Sequence, residues 1–437
     1  MTKKTVLFSG LMLFSLFFGA GNLIFPPLLG LQSGESFGPA ITGFLITGVL
    51  LPFMAVMAIS LSENGLVSIG NRVHRVFGLV FAIIIYMSIG ALYGIPRASN
   101  VAYELGFKQI MVVEGWLALL VFSLLFFGVT YFISLNPKKI VDRIGQLLTP
   151  LLLLVLGVLV VQAFIKFENI ASPAVGDYVT TPFVKGFVEG YFTMDAVAAL
   201  AFGIVVINAL KDKGAKSKLD LVKGTFGAGV IAGVGLVIVY ISLGWIGRVI
   251  PKETDFANGA EVLTVASGIL FARGGGLLFG VIVILACLTT CVGLITACAR
   301  FFNEILPRFH YRFYVAVFTL VGLLVSNLGL NLILSLATPL LVFIYPIAIV
   351  LVILSLLQHF VGGGKMMYRL TVSVASIFAL YDVLVNLGFQ LQRSTELLEI
   401  IPFFEYGLGW VLPAFVAALV GYVVDKGSGQ VQKLTIN

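Results

Sequence analysis

The sequence predicts an all-α polytopic membrane protein of about twelve transmembrane helices. Three observations lead there. Of 437 residues, 59% are hydrophobic and 11% charged, with a mean hydropathy of +1.09, which excludes a soluble domain or a disordered chain. Apolar runs of about twenty residues, the length that crosses a bilayer, recur at twelve places. Two of those runs, the first and the sixth, carry glycine, proline and polar residues where lipid-facing side chains belong, so both helices are expected to be discontinuous.

The runs lie near 6–30, 38–61, 76–96, 115–135, 144–165, 184–210, 221–247, 275–302, 312–328, 330–357, 367–390 and 403–424. Lys3-Lys4, an apolar stretch and Gly19-Ala20-Gly21 imitate a secretory signal. The apolar character continues past Asn22, so the segment is read as a retained span. Of the 27 lysines and arginines, nineteen fall in one set of alternate loops, among them Arg72, Arg75, Lys211 and Lys218. Eight fall in the other set, among them Arg97, Lys108 and Lys166. The richer side is cytoplasmic and both termini are expected there. The formal charge of +7 therefore reports topology, and no nucleic-acid partner is implied. The longer outer loops, 166–182 and 248–274, are expected to hold short lid-like helices.

The first run contains Phe14-Ser-Leu-Phe-Phe-Gly-Ala-Gly-Asn-Leu-Ile-Phe-Pro-Pro27. Gly19, Gly21 and the Pro26-Pro27 pair weaken helical hydrogen bonding, and Asn22 adds an amide at the weak point. An unpaired backbone group in lipid costs several kcal/mol, so such a break must be buried or line a cavity. Its two helix ends suit a cation at the carbonyls and a carboxylate at the amides. The sixth run contains Gly190-Tyr-Phe-Thr-Met-Asp-Ala-Val-Ala-Ala-Leu-Ala-Phe-Gly203, again with Gly, Thr and an ionisable group at mid-span. An offset of five spans inverts the second set, which predicts a five-plus-five inverted repeat. Residues 1–165 form the first five-helix repeat and 183–357 the second. Residues 365–437 supply two additional helices and a cytoplasmic tail.

Asp195 is the most informative residue, because an acid near mid-bilayer usually marks an ion or substrate path. The structural alternative is an acid satisfied by amides of the broken helix. Thr193 supplies a neutral oxygen for sodium or an ammonium. The adjacent Thr289 and Thr290 offer two hydroxyls to a hard cation, although single membrane threonines usually bond back to a preceding carbonyl. Asp382 lies outside both repeats and is read as structural. Arg97 ends the third span on the outer side, where it closes an outer gate against an acid or snorkels to the headgroups. Cys287, Cys291 and Cys298 are packing residues of one helix. His74, His310 and His359 fall in predicted loops, which leaves no buried histidine base, so no enzyme is expected. Gly227, Gly229, Gly233 and Gly235 are packing positions of the seventh run, and no nucleotide-binding loop is present.

Three stretches carry a resemblance: Phe18-Gly-Ala-Gly-Asn-Leu-Ile-Phe-Pro-Pro27, Tyr191-Phe-Thr-Met-Asp-Ala196 with Ala199-Leu-Ala-Phe-Gly203, and Ile95-Pro-Arg97. Over essentially its whole length the chain resembles the bacterial branched-chain amino acid:cation symporters, the BrnQ or LIVCS family. The resemblance implies import of leucine, isoleucine and valine with sodium across the bacterial inner membrane. It also implies an architecture like the inverted-repeat symporters typified by the bacterial leucine transporter. On that comparison the amides of Ala20 and Gly21 face the substrate carboxylate. Asn22, the Phe17 carbonyl and Thr193 hold one sodium, with Asp195 near the substrate ammonium and Phe192 enclosing the branched tail. Thr289, Thr290 and the carbonyls of Ala286, Ser15 and Phe18 form a second sodium site. Asp195 stands where the comparison has a neutral serine, which leaves sodium and proton both open as the coupling ion. A proton-coupled carrier of another small zwitterion is the alternative.

Overall fold

In the computed structural model of the chain, the described residues are 3–62, 65–111, 115–136, 140–212, 214–215, 217–251, 256–271, 273–389, 398–429 and 431. The loop residues Lys138, Lys139, Lys213, Lys216, Lys252, Arg393 and Lys433 lie outside them. The described residues are almost entirely helical, as lipid requires of a chain that cannot leave backbone groups unpaired.

Helix α1 (Lys3–Phe17) stops where the sequence places two glycines. Phe18 and Gly19 leave the helix, Gly19 being extended at φ −132°, ψ −162°, and α2 (Ala20–Ser33) begins at once. Pro26 and Pro27 weaken the ladder without ending the helix. They sit inside α2, where each removes the N–H that would have reached the carbonyl four residues back. From Ala20 the backbone runs to Leu61 as one 42-residue apolar stretch, crossing a 3-10 turn and a π-turn.

By length and composition, seven helices among the described residues can cross a membrane, or eight with one bent pair counted as a span. This corrects the expected twelve. The runs near 312–328 and 403–424 form helices of 16 and 17 residues. In the run near 144–165 the apolar helix is Leu153–Lys166, and residues 6–61 yield one long stretch instead of two. The expectation of two discontinuous helices is corrected as well. One pair, Pro182–Thr193 with Asp195–Asp212, forms a span bent by 43°; among the described residues α1 and α2, although parted at Phe18 and Gly19, do not make a second such span. With one broken span among the described residues, the matched pair of broken spans on which a five-plus-five inverted repeat was expected is not found, although the backbone is also interrupted at Phe18 and Gly19.

Close backbone approach organises the core around α2. A Cβ on Gly30 would lie 1.8 Å from the Gly244 carbonyl oxygen, and one on Gly247 would lie 1.9 Å from that of Pro27. Only glycine permits this contact. On the Lys218–Val249 helix, Tyr240, Gly244 and Gly247 share one face at i, i+4 and i+7. The same contact that seats the glycines on α2 therefore brings Tyr240 to Asn22. The second long helix, Arg75–Phe107, is interrupted by a π-turn at Ser88–Leu92 in which Gly90 is non-helical (φ −83°, ψ −126°). The Gly94–Val101 segment that follows is buried at all eight residues. Arg97 is thus in the interior, not at a membrane face.

Facing outward, the Trp116–Leu135 helix exposes Trp116, Leu125 and Phe132, the surface expected toward lipid chains. His359 is not in a loop but in the last turn of Leu330–Phe360, with Nδ1 3.0 Å from the Ser355 carbonyl. Of the outer loops, 248–274 holds the helix Gly259–Leu270, while 166–182 holds only the 3-10 turn Gly176–Tyr178 before the helix starting at Pro182. Two helices, Lys365–Asn386 and Val411–Gly427, pack together near the C-terminal end. There the buried Asp425 accepts the Met366 and Met367 N–H groups at 3.1 and 2.8 Å.

Candidate functional site: a buried polar cavity at the helix breaks

The break in the first run is held open by a side chain. The Gly19 N–H turns from the helical ladder to Asn22 Oδ1 at 2.8 Å, so the Ser15 carbonyl loses the donor four residues on. The Asn22 amide nitrogen then donates to Asp195 Oδ2 at 2.8 Å and also contacts the Tyr240 hydroxyl. Tyr240 donates in turn to the same Asp195 oxygen. Asn22, Asp195 and Tyr240 are all at most 3% exposed. A carboxylate in such surroundings needs donors, and hydrogen bonds to a charged group contribute about 1.5–3 kcal/mol each.

The break in the sixth run is a 3-10 turn, Gly190–Thr193, ending at Met194. Met194 is left-handed at φ 67°, ψ 7°, a conformation costing a non-glycine residue about 1–2 kcal/mol. That turn bends the chain by 43°, sets Asp195 in the first turn of the following helix and leaves the Phe192 and Thr193 carbonyls outside the ladder. Arg97 takes both: Nη1 donates to the Phe192 carbonyl at 2.6 Å and Nη2 to the Thr193 carbonyl at 3.1 Å. Its Cζ sits 4.6 Å from the Tyr93 ring centroid and 5.8 Å from that of Phe25. The Thr193 hydroxyl donates to the Gly190 carbonyl at 2.9 Å and faces the Asp195 N–H at 3.4 Å.

These groups surround a cavity of about 30 Å³ lined by Phe17, Gly19, Ala20, Asn22, Arg97, Thr193, Asp195 and Thr290, with apolar neighbours. That is room for a water or a bare ion and far below the roughly 300–1,000 Å³ of a small-molecule pocket. Of the other expected site residues, Gly21 lies against Arg97 and the Thr193 carbonyl, where a Cβ would come within 2.9 Å of each. Phe192 faces Phe25 with ring centroids 5.9 Å apart. Ser15, Phe18, Ala286 and Thr289 do not line the cavity. Thr289 and Thr290 donate to the Ala286 carbonyl at 2.8 and 3.0 Å, and Thr290 reaches the break, its Oγ1 lying 3.4 Å from a Cβ placed on Gly19.

A donor set for a cation is therefore of one kind. Among the described residues no group of three or more His, Cys, Asp or Glu gathers. Neutral oxygens are present: the Thr290 hydroxyl keeps its lone pairs while donating to Ala286 and lines the cavity beside Gly19. That chemistry fits a hard cation. Sequence reasoning missed Tyr240, Tyr93 and Met194. A tyrosine in the middle of the glycine-rich seventh run was the available signal for Tyr240, since a buried phenol seeks a partner. Met194 gave none.

A polytopic helical chain whose interior holds a small cavity between a helix break, a buried carboxylate and a buried guanidinium is built as a membrane carrier. The family model described as "Branched-chain amino acid transport protein" matches residues 2–428, and the chain belongs to that family. It is 41% identical to the branched-chain amino acid permease BrnQ of Bacillus subtilis (strain 168), covering 97% of this chain and 98% of the permease. It is 38% identical to the permease BraB of the same organism, covering 99% and 98%. Among solved structures, its fold is similar to Mhp1, a nucleobase-cation-symport-1 family transporter, in a closed conformation. The TM-score is 0.64 at 15% identity, covering 98% of this chain and 94% of that one. It is also similar to the manganese transporter of Eremococcus coleocola, with a TM-score of 0.58 at 16% identity and coverage of 98% and 96%.

Proposed function

We propose that the protein carries leucine, isoleucine and valine across the bacterial inner membrane by cation-coupled symport, with sodium as the coupling ion. Membership of the branched-chain amino acid transport family supports the substrate class. The observation that carries the site reading is the convergence of Asn22, Thr193 and Asp195 on one buried cavity at the two helix breaks. The substrate ammonium meets Asp195 and the loose carbonyls of Phe192 and Thr193, and its carboxylate meets the amides of Ala20 and Gly21 at the start of α2. Phe192 and Phe25 flank the apolar tail. Sodium sits between the Ser15 and Phe18 carbonyls and Thr289, Thr290 and Ala286, tying α1 to the Arg273–Ile305 helix. Lys3 and Lys4 at the start of α1 and Lys426 at the end of the Val411–Gly427 helix support cytoplasmic termini.

A cavity of about 30 Å³ cannot take the substrate without rearrangement, so the bound form requires the surrounding helices to move apart. The test is accumulation of labelled leucine in proteoliposomes. An inward sodium gradient is expected to drive uptake, and Asp195→Ala is expected to abolish it with insertion intact. Uptake that follows an inward pH step in sodium-free buffer, and ignores sodium, would make the proton the coupling ion instead.

A further inference from the structure

Arg97 is 6% exposed, lines the cavity, and is not paired with the acid that lines it too. The ion pairs among the described residues are Lys108–Glu104, Lys185–Asp177 and Lys185–Glu189. Asp195 is instead held by the neutral groups of Asn22 and Tyr240. A guanidinium and a carboxyl group therefore line a single buried cavity without forming an ion pair. That arrangement is complementary to a zwitterion.

The guanidinium's partners sharpen this. Its two terminal nitrogens rest on backbone carbonyls, neutral acceptors that leave the charge itself uncompensated. Its Nε is buried with no hydrogen-bond partner. A guanidinium offers five donors in a planar fork suited to a carboxylate. Arg97 also lies against Gly21 in the first turn of α2, so guanidinium and helix amides converge on one spot, and both favour an anion there. The same guanidinium occupies the Phe192 and Thr193 carbonyls, which are the acceptors proposed above for the substrate ammonium.

We propose that Arg97 is the residue that binds the substrate carboxylate, and that its contacts with the Phe192 and Thr193 carbonyls are a parked position. When substrate enters, the ammonium takes those carbonyls and Asp195, and Arg97 swings from them to the carboxylate. Its terminal N–H groups have acceptors in both states, which keeps the empty carrier stable. The inference rests on the proposed amino-acid transport and names the residue that reads the carboxyl group.

The test compares labelled leucine with labelled leucinamide, which keeps the ammonium and tail but lacks the carboxylate, for binding to the purified full chain. The wild-type protein is expected to prefer leucine. Arg97→Gln is expected to weaken leucine at least ~30-fold, the scale of losing one partner of a buried charge pair. Leucinamide should hold or gain affinity, because the carbonyls are no longer occupied. Arg97→Lys keeps the charge without the fork, and is expected to fall between wild type and Arg97→Gln in its preference for leucine. This second variant serves if thermal unfolding shows that the glutamine form does not fold. A parallel loss of leucine and leucinamide in the folded variants, or an unchanged preference for leucine, overturns the proposal and leaves the transport function standing. A wild-type protein that binds none of leucine, isoleucine and valine overturns the function, and this inference with it.

Discussion

Asp195 accepts from Asn22 and Tyr240 through one carboxylate oxygen, so its charge rests on two neutral donors from two other helices. Removing the Tyr240 hydroxyl leaves the acid buried with a single side-chain donor. Tyr240→Phe is expected to raise the leucine concentration for half-maximal uptake by about tenfold, equivalent to the ~1.4 kcal/mol of one modest hydrogen bond to a charged group. Uptake kinetics in proteoliposomes check this, and an unchanged half-maximal concentration would show that the phenol does not support the carboxylate in the working carrier. The acid itself was legible in the sequence because a charge at mid-span has few other uses. Its partner Tyr240 was not, because the phenol reaches Asp195 from a helix 45 residues further on, and no local pattern encodes that contact.

At the scale of elements, the joint between α2 and the Lys218–Val249 helix sets the geometry of the site. With Gly30 against the Gly244 backbone and Gly247 against that of Pro27 across it, a larger side chain must separate the two helices. Gly247→Val is expected to cost at least the roughly 1–3 kcal/mol of an overpacked interior, seen as a lowered melting temperature in detergent. Leucine affinity should fall with it, because Tyr240 moves away from Asn22. A variant that melts normally would show that the two helices are not in this contact. The two breaks also illustrate different degrees of legibility. Gly19 and Asn22 mark the first break, yet the Pro26-Pro27 pair, the stronger formal signal, lies within a continuous helix. A proline removes only its own N–H, and packing against neighbouring helices holds the turn together around it.

For the whole molecule, coupling depends on whether a cation joins α1 to the Arg273–Ile305 helix. Thr290 touches the break at Gly19, and both threonines lean on the Ala286 carbonyl. Thr289→Ala with Thr290→Ala is expected to raise the sodium concentration needed for half-maximal uptake about tenfold, while the leucine dependence at saturating sodium changes little. A sodium dependence identical to wild type would remove this cluster from coupling. The count of spans also belongs at this scale. Twelve apolar runs become seven long apolar helices, or eight with the bent pair, because hydropathy registers composition and not where a helix turns, shortens or continues. Residues 6–61 read as two runs separated by a polar loop. The backbone instead stays helical from Ala20 to Leu61 and interrupts itself earlier, at Phe18 and Gly19.

By itself the sequence determined that the chain is helical, lies in a bilayer and carries an acid, an amide and paired threonines at places where lipid tolerates none. Those conclusions rest on transfer free energies, which each residue carries wherever it is placed. Only the tertiary structure decided that Tyr240 completes the support of Asp195, that Arg97 lies in the interior, and that its guanidinium rests on the open turn of the sixth run. Such pairings follow from helices brought together by close packing at Gly30, Gly244 and Gly247, and contacts between segments so distant in sequence have no local signature.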